Sequence, residues 1–271
     1  MPRPPARQGA GGLPGPEGYT GPMPERLILL TNDDGLWAPG LAALAQVASR
    51  FGRVVTVAPD RNRSAISSAV SLHSILRLHA LGEDRYACDG TPVDCVLLGV
   101  CEVLKRRPDW ILSGVNLGFN LGEDVFYSGT VGAAFEGRLQ GARAAAFSIH
   151  PKGELALAVP WIERFLQRWE AMELPPNRIW NLNFPQDAPK GFRLTGQDSR
   201  AYHDIVERRV DPRGTPYFWI GGDAGPTYAK SPGSDAEAVL DGWASATPLR
   251  LDLGCPEILA RSKDFEATFN G

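Results

Sequence analysis

The sequence has few cysteines, no long apolar run and no excess of charge of either sign. Four cysteines in 271 residues do not form the disulfide framework of a small secreted protein, so we expect a reduced, cytoplasmic protein. No stretch reaches the roughly 18 consecutive apolar residues of a membrane helix, and the N-terminus lacks the apolar part of a secretion signal. Lys and Arg number 28 against 31 Asp and Glu, and this balance excludes a broad basic surface for nucleic acid.

Three regions differ in composition. Residues 1–24 are rich in Pro and Gly and poor in large apolar side chains, so they cannot bury enough surface to offset the cost of ordering. We predict a flexible extension there. Residues 25–185 are predicted to form a core, and residues 186–271 a smaller C-terminal unit.

Strands and helices alternate along the core. Leu27–Leu30 is a continuous apolar run, a helical spacing of apolar residues follows, and Val54–Val57 is β-branched. This alternation continues to residue 183 and predicts an α/β fold, a Rossmann-like and mostly parallel sheet with helices on both faces. Beyond Pro185, segments 205–210 and 215–220 flank a Pro- and Gly-containing turn, which predicts a β-hairpin.

Polar residues follow three of the predicted strands. Ligands of open α/β sheets bind beyond the carboxyl ends of the strands, where Asp33 and Asp34, Ser64 and Asn116 are expected to meet. Two adjacent carboxylates repel each other unless a cation offsets their charge, and Mg²⁺ or Mn²⁺ prefers oxygen ligands. These four residues therefore predict a site for one divalent cation. The alternative is that Asp33-Asp34-Gly35 is only a turn that caps the next helix.

Ser128-Gly129-Thr130 precedes a helix predicted to begin near Val131. Backbone amides at a helix N-terminus attract phosphate, and the two hydroxyl groups can add donors. The alternative is an ordinary Ser or Thr N-cap without a ligand. A cation beside an anion-binding helix end favours phosphoryl chemistry, because the cation offsets charge on the transferred group.

Five blocks in a fixed order make the sequence recognisable. They are Leu29–Gly35, Ala58-Pro59-Asp60 through Arg63-Ser64, Gly90–Val96, Ser113–Asn116 and Tyr127–Val131. Together they closely resemble the SurE (survival protein E) family of metal-dependent 5′/3′-nucleotidases, over a stretch from about Arg26 to Leu249.

The resemblance implies a role for each matching residue. It places the metal on Asp33, Asp34, Ser64 and Asn116, with the two aspartates as catalytic residues. It places the phosphate near Ser128, Gly129 and Thr130, and Asn120 is added as a further substrate contact. Phe119 stands where relatives usually have proline and is expected to reshape the pocket wall.

The resemblance also implies an activity and an assembly. We expect a phosphomonoesterase that hydrolyses nucleoside 5′- and 3′-monophosphates through metal-assisted attack of water, with Asp33 or Asp34 orienting that water or accepting its proton. A covalent aspartyl-phosphate, an exopolyphosphatase and a non-catalytic nucleotide-binding regulator stay open as alternatives. A homodimer or homotetramer is expected to form through exchanged C-terminal elements, the hairpin around residues 211–214 and the tail after Pro256. No nucleic-acid or membrane partner is expected.

Overall fold

The structure, a computed structural model, describes residues 26–172, 175–201, 206–220, 227–260, 262, 265 and 268. The predicted flexible extension, residues 1–24, lies outside the described residues. The described chain forms a nine-stranded, mostly parallel sheet with helices on both faces, which confirms the predicted α/β, Rossmann-like fold.

The strands, in chain order, are β1 (Leu27–Thr31), β2 (Arg53–Pro59), β3 (Leu78–Ala80), β4 (Arg85–Cys88), β5 (Trp110–Leu117), β6 (Arg143–Ile149), β7 (Arg178–Phe184), β8 (Phe192–Leu194), β9 (Arg200–Ala201), β10 (Val206–Val210), β11 (Pro216–Ile220), β12 (Thr227–Tyr228) and β13 (Ala244–Arg250). The α-helices are α1 (Pro39–Ala48), α2 (Pro92–Leu98), α3 (Gly129–Leu139), α4 (Leu155–Trp169), α5 (Asp235–Leu240) and α6 (Pro256–Leu259). A π-helical stretch, Gly99–Leu104, follows α2, and a 3-10 helix, Gly122–Phe126, precedes α3.

Strand β1 lies near the middle of the main sheet, whose order is β3-β4-β2-β1-β5-β6-β7-β13-β8. Its apolar run is buried on both faces, because Ile28 and Leu30 join one core cluster and Leu27 and Leu29 join the other. The chain passes from β1 to β2 on one side, and β5 later adds in parallel on the other side. This reversal is a topological switch point, where open α/β sheets bind their ligands.

Helices cover the two faces in pairs. Helices α1 and α4 pack together over one face, and α2 and α3 pack together over the other. Trp169 makes tilted aromatic contacts with Trp110 and with Phe165 in the core under α1 and α4. In the described part of the chain, no helix has the length and apolar character to cross a bilayer.

Strand β5 extends beyond its predicted end at residue 112 and continues to Leu117. Its pairing with β6 changes register between Ser113 and Asn116. Gly114 allows this irregularity, since its φ is +129° and a Cβ atom there would lie 2.3 Å from the carbonyl oxygen of Phe147. Asn116 is therefore one of the last residues of the strand instead of part of a following loop.

The C-terminal region contributes to the same sheet. Strand β13 pairs antiparallel with β7 and parallel with β8. The predicted hairpin is confirmed as β10 and β11, paired from Val206 opposite Ile220 to Val210 opposite Pro216. Strands β8 and β13, which follow residue 185, extend the core sheet. The division of the chain into two units at residue 185 stays a prediction.

Candidate active site

The turn after β1 places two carboxylates at the carboxyl edge of the sheet. The side chain of Asn32 holds this turn, because its Nδ2 donates to the carbonyl of Gly35 (3.0 Å) and its Oδ1 accepts from the Gly35 N–H (3.1 Å). Asp33 is buried and Asp34 is half-buried. The N-cap of α1 is Ala38, and no side chain caps that helix. The side chains of this turn therefore do not cap the next helix, while the binding of a cation there stays a prediction.

Asp34 lies where the segments after β2 and at the end of β5 meet. Asn62 donates from Nδ2 to Asp34 Oδ1 (3.3 Å). The Oδ1 atom of the same Asn62 accepts from Ser64 Oγ (2.7 Å) and from the Ser64 N–H (2.8 Å). On the other side, the N–H of Leu117 lies 3.5 Å from Asp34 Oδ2. The structure thus brings Asp34, Ser64 and the end of β5 together.

Asn116 is half-buried beside this junction. Its Nδ2 donates to the carbonyl oxygen of Gly118 (2.8 Å). The amide nitrogen is therefore used within the chain, and Oδ1 is the atom that Asn116 can offer to a cation. An amide oxygen is a ligand type that Mg²⁺ and similar cations accept.

Asp33 faces the N-terminus of α3. Thr130 Oγ1 donates to Asp33 Oδ1 through a short hydrogen bond. A Cβ atom on Gly129 would lie only 3.0 Å from the Cβ of Asp33, so glycine lets the helix end approach the carboxylate closely. The structure thereby joins the predicted metal residues to the predicted phosphate residues through Asp33.

Burial raises the pKa of both carboxyl groups. The pKa of Asp33 rises to about 6, mainly because the carboxyl group is buried. The hydrogen bond from Thr130 opposes this rise, and the charge of Asp34 adds to it. Burial also raises the pKa of Asp34, and the N–H of Leu117 opposes that rise. Burial is thus the main cause of both shifts.

Ser128 is the N-cap of α3, which begins at Gly129 instead of near Val131. Its Oγ accepts from the Val131 N–H (3.0 Å), as in an ordinary N-cap. The hydroxyl of Thr130 is directed to Asp33, so the anion that this helix end meets in the structure is a carboxylate of the chain itself. Contact of these three residues with phosphate stays a prediction.

Asn120 lies inside the molecule, with 6% of its surface exposed. Its Nδ2 donates to Ser148 Oγ (2.7 Å). Its backbone carbonyl oxygen accepts from Asn181 Nδ2 (2.8 Å) and from Asn183 Nδ2 (3.1 Å). These bonds fix the chain just beyond Asn116. Direct contact of Asn120 with substrate stays a prediction.

Sequence reasoning missed the residues that support the site. It did not single out Asn62, although an Asn two residues before a Ser is a common turn signal. It also missed Asn181 and Asn183, whose strand position gave no sign that they bond to Asn120.

The donor set fits a hard cation. Among the described residues, no ion pair involves Asp33 or Asp34, so no side-chain cation offsets these two neighbouring charges. No group of three or more His, Cys, Asp or Glu side chains suited to a metal occurs in the same part of the chain. A cation here would accordingly need the hydroxyl of Ser64 and the amide oxygen of Asn116, both of which suit Mg²⁺ or Mn²⁺.

Comparison with known proteins gives consistent results. A family model described as "Survival protein SurE" matches residues 28–204. A protein of Syntrophotalea carbinolica named 5′-nucleotidase SurE is 44% identical over 232 residues, which cover 84% of this chain and 92% of that protein. One of an Anaeromyxobacter species with the same name is 46% identical over 229 residues, covering 83% and 90%.

A solved structure agrees with these relatives. The crystal structure of the SurE protein from Aquifex aeolicus is similar with a TM-score of 0.77 and 37% identity, over 89% of this chain and 99% of that one. The family model covers more than half of the chain, and the relatives align along most of their own length. The chain therefore belongs to the survival protein SurE family.

Proposed function

We propose that this protein is a 5′-nucleotidase, a divalent-metal-dependent phosphomonoesterase that hydrolyses nucleoside monophosphates to nucleoside and phosphate. One observation carries the proposal. The carboxylates of Asp33 and Asp34 lie at the switch point of the sheet, with Ser64 and the end of β5 on one side and the N-terminus of α3 on the other. The names of the relatives support the same activity.

The residues that would hold the cation are Asp33, Asp34, Ser64 and Asn116, and Mg²⁺ or Mn²⁺ is the ion we propose. Such an ion, when bound, supplies positive charge that polarises a phosphoryl oxygen and offsets the negative charge of the substrate. The N-terminus of α3 would lie near the other phosphoryl oxygens, because the positive end of the helix dipole favours an anion there.

Asp33 is suited to accept a proton from the attacking water. Its carboxylate lies against the N-terminus of α3, beside the place proposed for the substrate phosphate. Thr130 donates to Oδ1 and so fixes the carboxyl group, which favours Oδ2 as the atom that takes the proton. Burial of Asp33 also keeps bulk water away from this oxygen.

The test is release of inorganic phosphate by the purified protein at pH 7.5 with Mn²⁺ or Mg²⁺. We expect release of phosphate from 5′-AMP and 5′-GMP, and no release of p-nitrophenol from the phosphodiester bis(p-nitrophenyl) phosphate. Parallel assays with 3′-AMP and with short polyphosphate measure the 3′ activity and the exopolyphosphatase alternative. Nucleotide binding without phosphate release under every metal would favour the non-catalytic regulator instead.

We also propose that the protein forms a homodimer or homotetramer through residues 186–271. The hairpin of β10 and β11 presents apolar side chains to solvent, with 58% of Trp219 and 87% of Ile220 exposed. Apolar patches of this kind are typical of surfaces that contact another chain.

We also propose a cytoplasmic location. The four cysteines are free, which supports it.

Charged substitutions on this hairpin test the assembly. Trp219→Glu with Ile220→Lys is expected to shift the protein to a smaller species in size-exclusion chromatography with light scattering, because burying these charges costs more than the apolar contact gains. Lys152→Ala, at an exposed position outside residues 186–271, is the control and should leave the mass unchanged. An unaltered mass in the double variant would exclude the hairpin from the interface.

A further inference from the structure

The chain between the candidate metal and phosphate residues is a single segment, residues 117–127, here called the site loop. It begins directly after Asn116 and ends directly before Ser128. It connects the end of β5 to the N-terminus of α3, which also packs directly on β5. The conformation of the site loop therefore affects how the residues at its two ends are oriented.

Gly122 is a residue of the site loop whose backbone is hydrogen-bonded to the C-terminal region. Its N–H donates to Asp235 Oδ2 (3.0 Å), and its carbonyl oxygen accepts from Gln197 Nε2 (2.8 Å). Gly122 has a φ of +50°, and a Cβ atom there would lie 2.8 Å from the carbonyl oxygen of Asp198. The loop thus lies against residues 197 and 198, and both backbone polar groups of Gly122 are hydrogen-bonded to side chains of the C-terminal region.

Asp235 is fully buried at the start of α5. Besides the Gly122 N–H, it accepts the N–H of Asp198 (3.1 Å) and of Ala236 (2.8 Å) at Oδ1. All three partners are donors, so the site requires a side chain that only accepts. Burial raises the pKa of Asp235 to about 6, so the group is ionised and able to accept all three bonds at pH 7.5.

Asp198 continues this connection towards the hairpin. Its carboxylate accepts the N–H groups of Ser199 (2.8 Å), Lys230 (2.8 Å) and Ser231 (3.3 Å). These residues flank the segment that carries β10 and β11. The two buried carboxylates of Asp198 and Asp235 therefore connect residues 199, 230 and 231 to Gly122 in the site loop.

We propose that Asp235 is a positioning residue for the phosphatase reaction, which holds Gly122 and thereby fixes the site loop between Asn116 and α3. Asp235 lies 113 residues from Gly122 in the sequence, and it joins the C-terminal region to the site through this bond. This inference rests on the proposed function.

The test is the kinetics of Asp235→Asn on 5′-AMP with Mn²⁺ at pH 7.5. Asparagine has nearly the same shape, but its amide NH₂ would face an N–H donor and lose that bond. We expect kcat to fall by at least about tenfold while KM changes by less than about threefold, because the loop is needed for the geometry of reaction more than for holding nucleotide.

Ser234→Ala is the matched control. Ser234 Oγ caps α5 by accepting the Glu237 N–H (3.1 Å), so its loss weakens the same helix without touching the site loop. We expect a lower melting temperature with kcat within about twofold of wild type. An equal loss of kcat in Ser234→Ala and Asp235→Asn would overturn the proposal, since it would reduce the effect to general loosening of α5.

Gln197→Leu provides a second route that does not depend on a buried position. It removes the other side-chain bond to Gly122 and should lower kcat in the same direction, and its effect should be non-additive with that of Asp235→Asn. A wild-type kcat in Asp235→Asn would contradict the proposal. If Asp235→Asn fails to fold, a wild-type kcat in Gln197→Leu would contradict it. An inactive wild-type protein would instead contradict the proposed function, so the two failures are distinct.

Discussion

Replacing Asp34 with asparagine is expected to lower kcat/KM for 5′-AMP by at least about a thousandfold. Asp34 is the carboxylate that contacts the other two parts of the site. It accepts from Asn62, which is hydrogen-bonded to Ser64, and it lies near the N–H of Leu117, which follows Asn116 in the sequence. Asparagine keeps the size of the side chain and removes its charge. The loss therefore reports on the charge that a cation needs, measured as the rate of phosphate release.

Asp60→Asn is the control for this substitution. Asp60 stands at the same edge of the sheet, directly after β2, where its exposed carboxylate lies 3.5 Å from the guanidinium of Arg61. Exposed pairs of this kind contribute little, so we expect an activity within about twofold of wild type. More than about a tenth of wild-type activity in Asp34→Asn would place the metal or the chemistry elsewhere.

Removal of divalent cations is expected to abolish phosphate release, with a loss of at least about a hundredfold after treatment with EDTA. Without a cation, Asp33 and Asp34 present two negative charges to a substrate that is itself a dianion, and no ion pair in the described chain offsets them. Activity should return on addition of Mn²⁺ or Mg²⁺ to the dialysed protein.

The cation concentration that restores half of the activity should depend on pH. The pKa of Asp33 is about 6, so a proton competes for this carboxylate at lower pH and no longer does so at higher pH. Recovery should therefore need more Mn²⁺ at pH 5.5 than at pH 7.5. Full activity in excess EDTA at pH 7.5 would be incompatible with a metal-dependent enzyme.

The local patterns of the sequence were enough to predict the core elements. The apolar run of β1, the β-branched β2 and the turn of the hairpin each depend on residues close together in the chain, and all three are found in the structure. The position of Asp33 and Asp34 after β1 was predictable because parallel strands end at a common edge. The insertion of β13 between β7 and β8 depends on pairing across the chain and was not predictable from such patterns.

The contacts inside the site were less accessible. Thr130 carries the hydroxyl of a predicted phosphate site, yet it donates to Asp33, which is 97 residues away in the sequence. Asn116 was placed after a short strand, whereas an irregularity at Gly114 keeps it within a longer one. Both differences arise because hydrogen bonds between distant segments determine which atom faces which, and the spacing of residues carries no information about that.

Titration of metal-free protein with Mn²⁺ at pH 7.5, followed by calorimetry, tests the existence of the cation site most directly. If oxygens of Asp33, Asp34, Ser64 and Asn116 surround one ion, the wild-type chain and Asp60→Asn should each bind a single Mn²⁺. Asp34→Asn should bind it at least about a hundredfold more weakly. Equal binding by wild type and Asp34→Asn, or no binding by the wild-type chain, would contradict that site.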